Sequence, residues 1–460
     1  MNDLAFSTLN LHSSLLDNLS TLDYNNMTPI QSQSLPHILQ RLDVIGQGKT
    51  GSGKTAAFGL GILQTLNVAS LQIQALVLCP TRELADQVSK EIRRLGRTIA
   101  NIKILTLAGG MPLKAQTASL AHGAHIIVGT PGRIDDHLQR GSIHLQYVKT
   151  LVLDEADRML EMGFQSQVDA IVAQLPKQRQ SLLFSATFPE QIQRISQRIM
   201  NKPIMVQVES SHDHALIQQH FYQVTDHESR IQALRLLLLQ HQPESALIFC
   251  NTKRDSEEVA NALIYQGFTA LALNGDLEQW ERDQAMVRFA NQSISILVAT
   301  DVAARGLDID ALDLVINYHI AQDPETHVHR TGRTGRAGKQ GMACSLFSEK
   351  EHFKITRLGD YLEKSIIGET LPDSTHLNHQ PNKARMTTLQ IGGGKKQKLR
   401  PGDILGALTG KGGVAGSQVG KIHILDHWAY VAVERGALQV ALRTLKSGTL
   451  KGKKFRIRCI

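Results

Sequence analysis

Between residue 43 and about residue 205, short apolar runs at 43–45, 75–79, 125–128, 149–153 and 181–184 alternate with longer stretches whose apolar positions recur at helical spacing. A short apolar run without period-two alternation is how a strand buried on both faces reads. Alternation of such runs with helix-length segments predicts a parallel sheet wrapped by helices. After the polar stretch 209–214 the pattern resets, with runs at 246–250, 270–273, 295–299, 314–317 and 342–347. A second sheet of the same kind is expected, with no obvious sequence repeat between the two.

Residues 371–382 are rich in Pro, Asn, His and Ser and lack apolar periodicity, which predicts a linker. Beyond it the pattern predicts strand 387–391, helix 402–408, strands 421–425 and 428–433, helix 436–446 and strand 454–459. This is the βαββαβ order of an RRM-like domain. The expected fold class is α/β, with two tandem parallel-sheet domains at 1–208 and 216–370 and a small α+β domain at 383–460. Alternation sends Trp428 and Tyr430 to one face of a strand and Ala429, Val431 and Val433 to the other. Exposed, that aromatic pair could stack bases; the alternative is that a neighbouring helix or loop covers it. In the last strand Phe455, Ile457 and Cys459 alternate with Lys454, Arg456 and Arg458, joining a core face to a basic one. Lys451 and Lys453 extend the basic patch.

Charge sharpens this division. The net charge is +8, but residues 376–460 carry 16 Lys/Arg against Asp403, Asp426 and Glu434, a balance of +13 that leaves the first 375 residues at −5. The grip on a polyanion is concentrated at the C-terminal end, which points to nucleic acid. Four cysteines at 79, 250, 344 and 459 have neither zinc-module nor disulfide-framework spacing, and no apolar run approaches membrane-spanning length. The first 25 residues hold Asp3, Asp17 and Asp23 but no Lys or Arg, so the expectation is a cytoplasmic protein. Histidines 212, 214, 220, 227, 376 and 379 lie in polar stretches without a supporting ligand set and do not predict a metal site.

The candidate chemistry begins with Gly48-Lys49-Thr50-Gly51-Ser52-Gly53-Lys54-Thr55, a phosphate-binding loop pattern placed between a predicted strand and a predicted helix. Its glycines let backbone N–H groups turn toward phosphates, Lys54 neutralises their charge and the Thr55 hydroxyl can ligate Mg²⁺. Asp154-Glu155-Ala156-Asp157 ends a buried run, which makes Asp154 the expected second metal ligand and Glu155 the group that orients or deprotonates a water. GTP chemistry is disfavoured because no Asn-Lys-x-Asp guanine reader is present. About 170 residues later, His329-Arg330-Thr331-Gly332-Arg333-Thr334-Gly335-Arg336 supplies Arg333 and Arg336 as candidate arginine fingers.

With these motifs in this order and spacing, residues 1–370 resemble the DEAD-box RNA helicase family. The resemblance implies two RecA-like domains, ATP and Mg²⁺ as cofactors, and RNA as partner. Phe6 and the segment 24–31 resemble the adenine-reading motif, which implies that Gln31 hydrogen-bonds adenine while Phe6 or Tyr24 stacks nearby. Ser185-Ala186-Thr187 is similar to the motif that links the acidic site to RNA binding through Asp157 and His329, and Asp308 matches a ribose contact. The implied RNA contacts are Arg82, Gly110, Thr130 and Arg133 in the first domain and Asn251, Thr252, Gly275, Gln279, Arg282 and Thr300 in the second. Two positions depart from the family pattern: Thr331 where an aliphatic residue is common, and His319 where many members have Asp.

Segments 385–389, 398–403 and 427–433 narrow the resemblance to a bacterial branch of the family. It implies that the third domain recognises a hairpin of large-subunit (23S) ribosomal RNA during subunit assembly. The expected protein is a monomeric RNA-dependent ATPase that strains short duplexes. An ATP-gated RNA clamp, with unwinding incidental, uses the same residues.

Overall fold

The computed structural model describes residues 4–48, 51–208, 217–304, 312–335 and 340–460. These form two compact units, one ending at residue 208 and the other beginning at residue 217. In the first unit seven parallel strands, β1 (Val44–Gln47), β2 (Ala75–Leu78), β3 (Ile104–Leu107), β4 (Ile126–Gly129), β5 (Thr150–Asp154), β6 (Gln180–Ser185) and β7 (Ile204–Gln207), lie in the order β3-β4-β2-β5-β6-β1-β7. Successive residues feed opposite cores. Val44, Val77, Val128, Val152 and Leu182 belong to one cluster, while Ile45, Leu76, Ile127, Leu151 and Leu183 belong to the other. That is why these runs show no alternation in sequence. The two strands missing from the expected set, β3 and β7, sit at the sheet edges, where partial exposure breaks the apolar signal.

The second unit opens with six parallel strands: β8 (Ile217–Val224), β9 (Ala246–Cys250), β10 (Ala270–Leu273), β11 (Ile296–Thr300), β12 (Leu314–Asn317) and β13 (Gly341–Ser348), ordered β10-β11-β9-β12-β13-β8. The unexpected member, β8, is again an edge strand, and its polar Gln218, Gln219 and His220 interrupt the apolar pattern.

The same unit carries a four-stranded antiparallel sheet of β14 (Met386–Ile391), β15 (Val419–Ile424), β16 (Ala429–Glu434) and β17 (Ile457–Cys459), ordered β15-β16-β14-β17. Helices Pro401–Leu408 and Leu438–Ser447 pack on one face, burying Leu389, Ile391, Ala429, Val431 and Val433 with Ile404, Leu408 and Ala441. The expected βαββαβ order is present. β17 is shorter than expected, and Cys459, assigned to the core face, is exposed because the strand lies at the sheet edge.

The opposite face of this sheet is not free. It lies against the helix Gln279–Ala290 of the preceding domain and the turn after it. Asn291 Nδ2 donates to Thr388 Oγ1 (3.1 Å), Ser293 Oγ and Thr388 Oγ1 are 2.7 Å apart, and Tyr430 is hydrogen-bonded to both Gln390 (3.0 Å) and Gln284. The linker is docked as well: the turn Ser374–Asn378 packs on the helix His227–His241, with Leu377 against the core and Asn382 Nδ2 donating to Gln242 O (3.3 Å).

At the carboxyl end of β4, a Cβ on Gly129 would stand 2.4 Å from the Leu107 carbonyl oxygen and 2.7 Å from Ile134 Cδ1. Backbone of a paired strand cannot give way cheaply. Gly129→Ala is expected to destabilise the first unit by about 1–3 kcal/mol, read as a lower denaturant midpoint, whereas Gly132→Ala, with open space around its Cβ, should leave the midpoint nearly unchanged.

Candidate active site

In a parallel sheet the strands' carboxyl ends share one edge, and in the first unit nearly every candidate residue sits there. The order β5-β6-β1 places the acidic residues, Ser185 and the phosphate loop side by side. Gly48 follows β1, its N–H donating to Ser185 O (3.0 Å). Gly51 and Gly53 hold φ of 86° and 94°, the left-handed region that glycine enters at little cost. The helix Lys54–Gln64 starts at once, so its first N–H groups point into the loop as an anion cradle, with half-buried Ser52 and Thr55 on its rim. Lys54 is buried, and its Nζ donates to Gly48 O (2.5 Å). This donor set of helix N–H groups, an ammonium and a facing carboxylate suits a nucleotide phosphate with a divalent cation. Thr50 lies outside the described residues.

The segment before β1 holds this loop in shape. Thr28 Oγ1 donates to Ser52 O (2.7 Å), Gln31 Oε1 accepts from Thr28 N (2.8 Å), and Gln31 Nε2 donates to Gly53 O (3.1 Å). A Cβ on Gly53 would lie 2.4 Å from Gln31 Nε2. Gln31 is therefore braced directly against the phosphate loop. The bonds to Thr28 N and Gly53 O use one N–H and one oxygen lone pair of its amide. Phe6 is buried in the core edge-on to Tyr24, with ring centres 6.0 Å apart. Tyr24 turns away toward Glu91 (2.9 Å) and Arg94, and burial together with Glu91 pushes its hydroxyl up to about 12.

Asp154 closes β5 in a dry setting. Burial pushes its carboxyl up to about 7 against the opposing pull of Lys54. Glu155 follows with φ 51°, a conformation a side chain-bearing residue adopts at a cost of roughly 1–3 kcal/mol. Its carboxylate meets Arg158 Nη1 at 3.0 Å, both groups buried. Asp157 Oδ2 accepts three hydrogen bonds, from Ala186 N (3.1 Å), Thr187 N (2.9 Å) and Thr187 Oγ1 (3.0 Å), and Asp157 N donates to Ser185 Oγ (3.3 Å). The expected link between Asp157 and the 185–187 segment is thus a charge-assisted network.

The RNA candidates occupy the other half of the edge, after β2, β4 and β3: Arg82 begins the helix Arg82–Leu95, Thr130 precedes the helix Pro131–Gln139, and Gly110 is exposed with φ 75°. Arg133 Nη1 donates to Met111 O (2.9 Å) and Gln116 Oε1 (2.8 Å), which fixes the loop carrying Gly110.

In the second unit Asn251 and Thr252 follow β9, Gly275 follows β10 and Thr300 ends β11, three adjacent strands. Thr252 also caps its helix, accepting from Asp255 N (3.1 Å). Gln279 donates to Asp283 (2.8 Å) and Arg282 to Asn274 O (3.3 Å). His329 is half-buried and Arg333 is 4% exposed, while Asp308 and Arg336 lie outside the described residues. In the four-stranded domain Lys451, Lys453, Lys454, Arg456 and Arg458 are exposed, and Lys451 Nζ donates to Lys398 O (2.6 Å). Tyr430 corrects the expectation of an exposed stacking pair: it is 1% exposed because a helix of the neighbouring domain covers it, while Trp428 stays 39% exposed.

Residues 28–195 match the DEAD/DEAH box helicase family, 229–338 the helicase conserved C-terminal domain and 388–459 the DbpA RNA binding domain. Over 457 residues the chain is 51% identical to the ATP-dependent RNA helicase DbpA of Escherichia coli, covering 99% of both chains. The chain is a DEAD-box ATP-dependent RNA helicase. It is also 45% identical over 346 residues to the DEAD-box ATP-dependent RNA helicase CshA of Geobacillus kaustophilus, covering 75% of this chain and 74% of that one. Among solved structures, S. cerevisiae Dbp5 bound to RNA and ADP BeF3 superimposes with a TM-score of 0.73 at 30% identity, covering 81% of this chain and 97% of that one. As a family member the protein is an RNA-dependent ATPase.

One residue of the helicase's second unit had no role in the sequence reading. Arg330, 1% exposed, makes a bidentate pair with Asp301 (2.6 and 2.7 Å) and donates to His319 O (2.7 Å) and Asn251 Oδ1 (2.9 Å). It joins the ends of β9, β11 and β12 and fixes the RNA candidate Asn251. In sequence it is one arginine of an Arg/Gly run, and only packing separates it from its neighbours. Thr331, a departure from the family pattern, is buried, and its hydroxyl donates to His327 O (3.0 Å). Removing the guanidinium by Arg330→Ala leaves Asp301 without its partner and should cost about 3–5 kcal/mol, seen as early unfolding of the second unit by urea.

His319, the other departure, accepts from Asn251 N (3.4 Å). Burial, helped by Arg230 and Arg330 and opposed by Asp255 and Glu351, lowers its pKa from 6.5 to about 4. The fold therefore holds it neutral while the unfolded chain protonates it. Its contribution to stability is complete above pH 6.5 and is lost as pH falls toward 4. His319→Asn should flatten the decline of the second unit's urea midpoint across that window.

Proposed function

We propose that the helicase acts on large-subunit ribosomal RNA during subunit assembly, with its four-stranded domain holding a hairpin of 23S rRNA while the two parallel-sheet domains strain a nearby short duplex. The observation that supports this reading is the end-to-end identity with E. coli DbpA, which extends through the match to the DbpA RNA binding domain. The +13 balance of residues 376–460 fits a domain made for a polyanion. In this proposal the protein works as a monomer in the cytoplasm.

At the ATP site, Lys54 and the N–H groups opening its helix bind phosphate oxygens, and Gln31 selects adenine while bracing the loop. Thr55 and Asp154 would hold Mg²⁺, which neutralises phosphate charge when bound. Glu155 orients the attacking water and accepts its proton. Arg333 and Arg336 act as arginine fingers, contributing about 10³–10⁵ in rate. Asp157, tied to 185–187, and His329 relay RNA occupancy to the acids, and Asp308 contacts the ribose.

The test is ATPase rate with Mg²⁺ and no RNA, poly(A), or a 23S rRNA fragment with and without the hairpin, using the full chain and a chain ending at residue 382. Stimulation that needs the hairpin and is lost on truncation is expected; equal stimulation by every RNA would sink the targeting. Glu155→Gln should lower kcat by about 10²–10⁴ while RNA binding persists, and strand release should fall in parallel.

A further inference from the structure

The chain has two tryptophans in 460 residues: Trp280, on the helix that lines the seam between the second parallel-sheet domain and the four-stranded domain, and Trp428, two residues before the Tyr430 covered there. Along β14 from Met386 to Gln390, the contacts across the seam descend the helix Gln279–Ala290. Met386 N meets Gln292 O, Thr388 meets Asn291 and Ser293, and Tyr430, the cross-strand partner of Gln390, meets Gln284. Strand and helix therefore run in opposite directions. One pleat beyond Tyr430 stands Trp428, and one helical turn before Gln284, on the same stripe, stands Trp280.

Arg458 shows that Trp428 faces the seam. Its Nε donates to Gln390 Oε1, and its guanidinium lies 5.9 Å from the centre of the Trp428 ring. Trp280 is 53% exposed and Trp428 39%, and no aromatic pair among the described residues includes either ring. Cations cluster on the Trp428 side, while Glu278, Glu281 and Asp283 flank Trp280 along its helix. Lys395, Lys396 and Arg456 are exposed, with Lys396 Nζ 3.0 Å from His427 beside Trp428. On the helix, Trp280 lies between Gln279 and Arg282, two of the expected RNA contacts.

We propose that Trp280 and Trp428 together form a stacking site for unpaired RNA bases, one indole contributed by each domain. Partly exposed indoles with lysine and arginine within reach are what single-stranded nucleic acid needs, since bases stack on the rings while cations hold the phosphates. The docked sheet face makes the site composite: because Tyr430 is covered, base stacking passes to the rim, where the neighbouring helix supplies the second ring. The site depends on the chain binding RNA and not on which RNA it serves.

Trp280→Phe and Trp428→Phe each leave a single tryptophan, so fluorescence reports the two positions separately. Full-length protein is titrated with oligo(A) and with a blunt RNA hairpin lacking single strand. Oligo(A) should quench both tryptophans with one shared affinity, while the blunt hairpin should leave Trp280 unquenched. Trp280→Ala and Trp428→Ala should each weaken oligo(A) binding about tenfold, with unchanged thermal midpoints and a double variant less affected than the product of the two. Unaltered Trp280 emission at saturating oligo(A), equal quenching by the blunt hairpin, or wild-type affinity in the alanine variants would overturn the proposal.

Discussion

A charge at the end of a strand buried on both faces has little water to solvate it, so protein groups must satisfy it or it will not stay ionised. The functional edges of both parallel sheets are arranged around that constraint. In the first unit Asp157 is held by the backbone and hydroxyl of 186–187 and Glu155 by Arg158, while for Asp154 the pull of Lys54 only partly offsets burial, which raises its carboxyl to about 7. In the second, Arg330 gathers Asp301, His319 and Asn251. Each network ties a charged group into its surroundings and, by doing so, fixes the candidate residues beside it.

The same economy explains why so many candidate residues carry two roles. Gln31 and Thr28 brace the phosphate loop through Gly53 and Ser52, so the expected adenine reader is also a structural tie. Arg133 anchors Met111 and Gln116, and Thr252 caps its own helix. The loops that carry these candidates are stiffened by the candidates' own side chains, and a stiff loop loses less entropy on binding. The left-handed Glu155 is the local cost of turning from β5 into a helix while keeping two acids at one edge.

The four-stranded domain follows a different logic. Its sheet has one face for its own core and one that could have been open, yet on that face Thr388 docks on Asn291 and Ser293, just after the helix Gln279–Ala290, and Tyr430 on Gln284 within it. The helix thus holds expected RNA contacts at its first turn and a fixed neighbour domain along its flank. The small domain is thereby held at a set position relative to Gln279 and Arg282.

Apolar runs and glycine-rich or acidic motifs determined the fold class, the order of elements and the family, because strand burial and a phosphate-loop pattern are local demands written in contiguous residues. Edge strands β3, β7 and β8 escaped that reading since partial exposure relaxes the pattern. Contacts between distant segments were decided only by tertiary structure. Nothing near Arg330 in sequence shows that it will be buried against Asp301 and Asn251. Nothing in the alternation around Tyr430 shows that a helix about 150 residues earlier will cover it, since alternation tells which side chains share a face but not what that face meets.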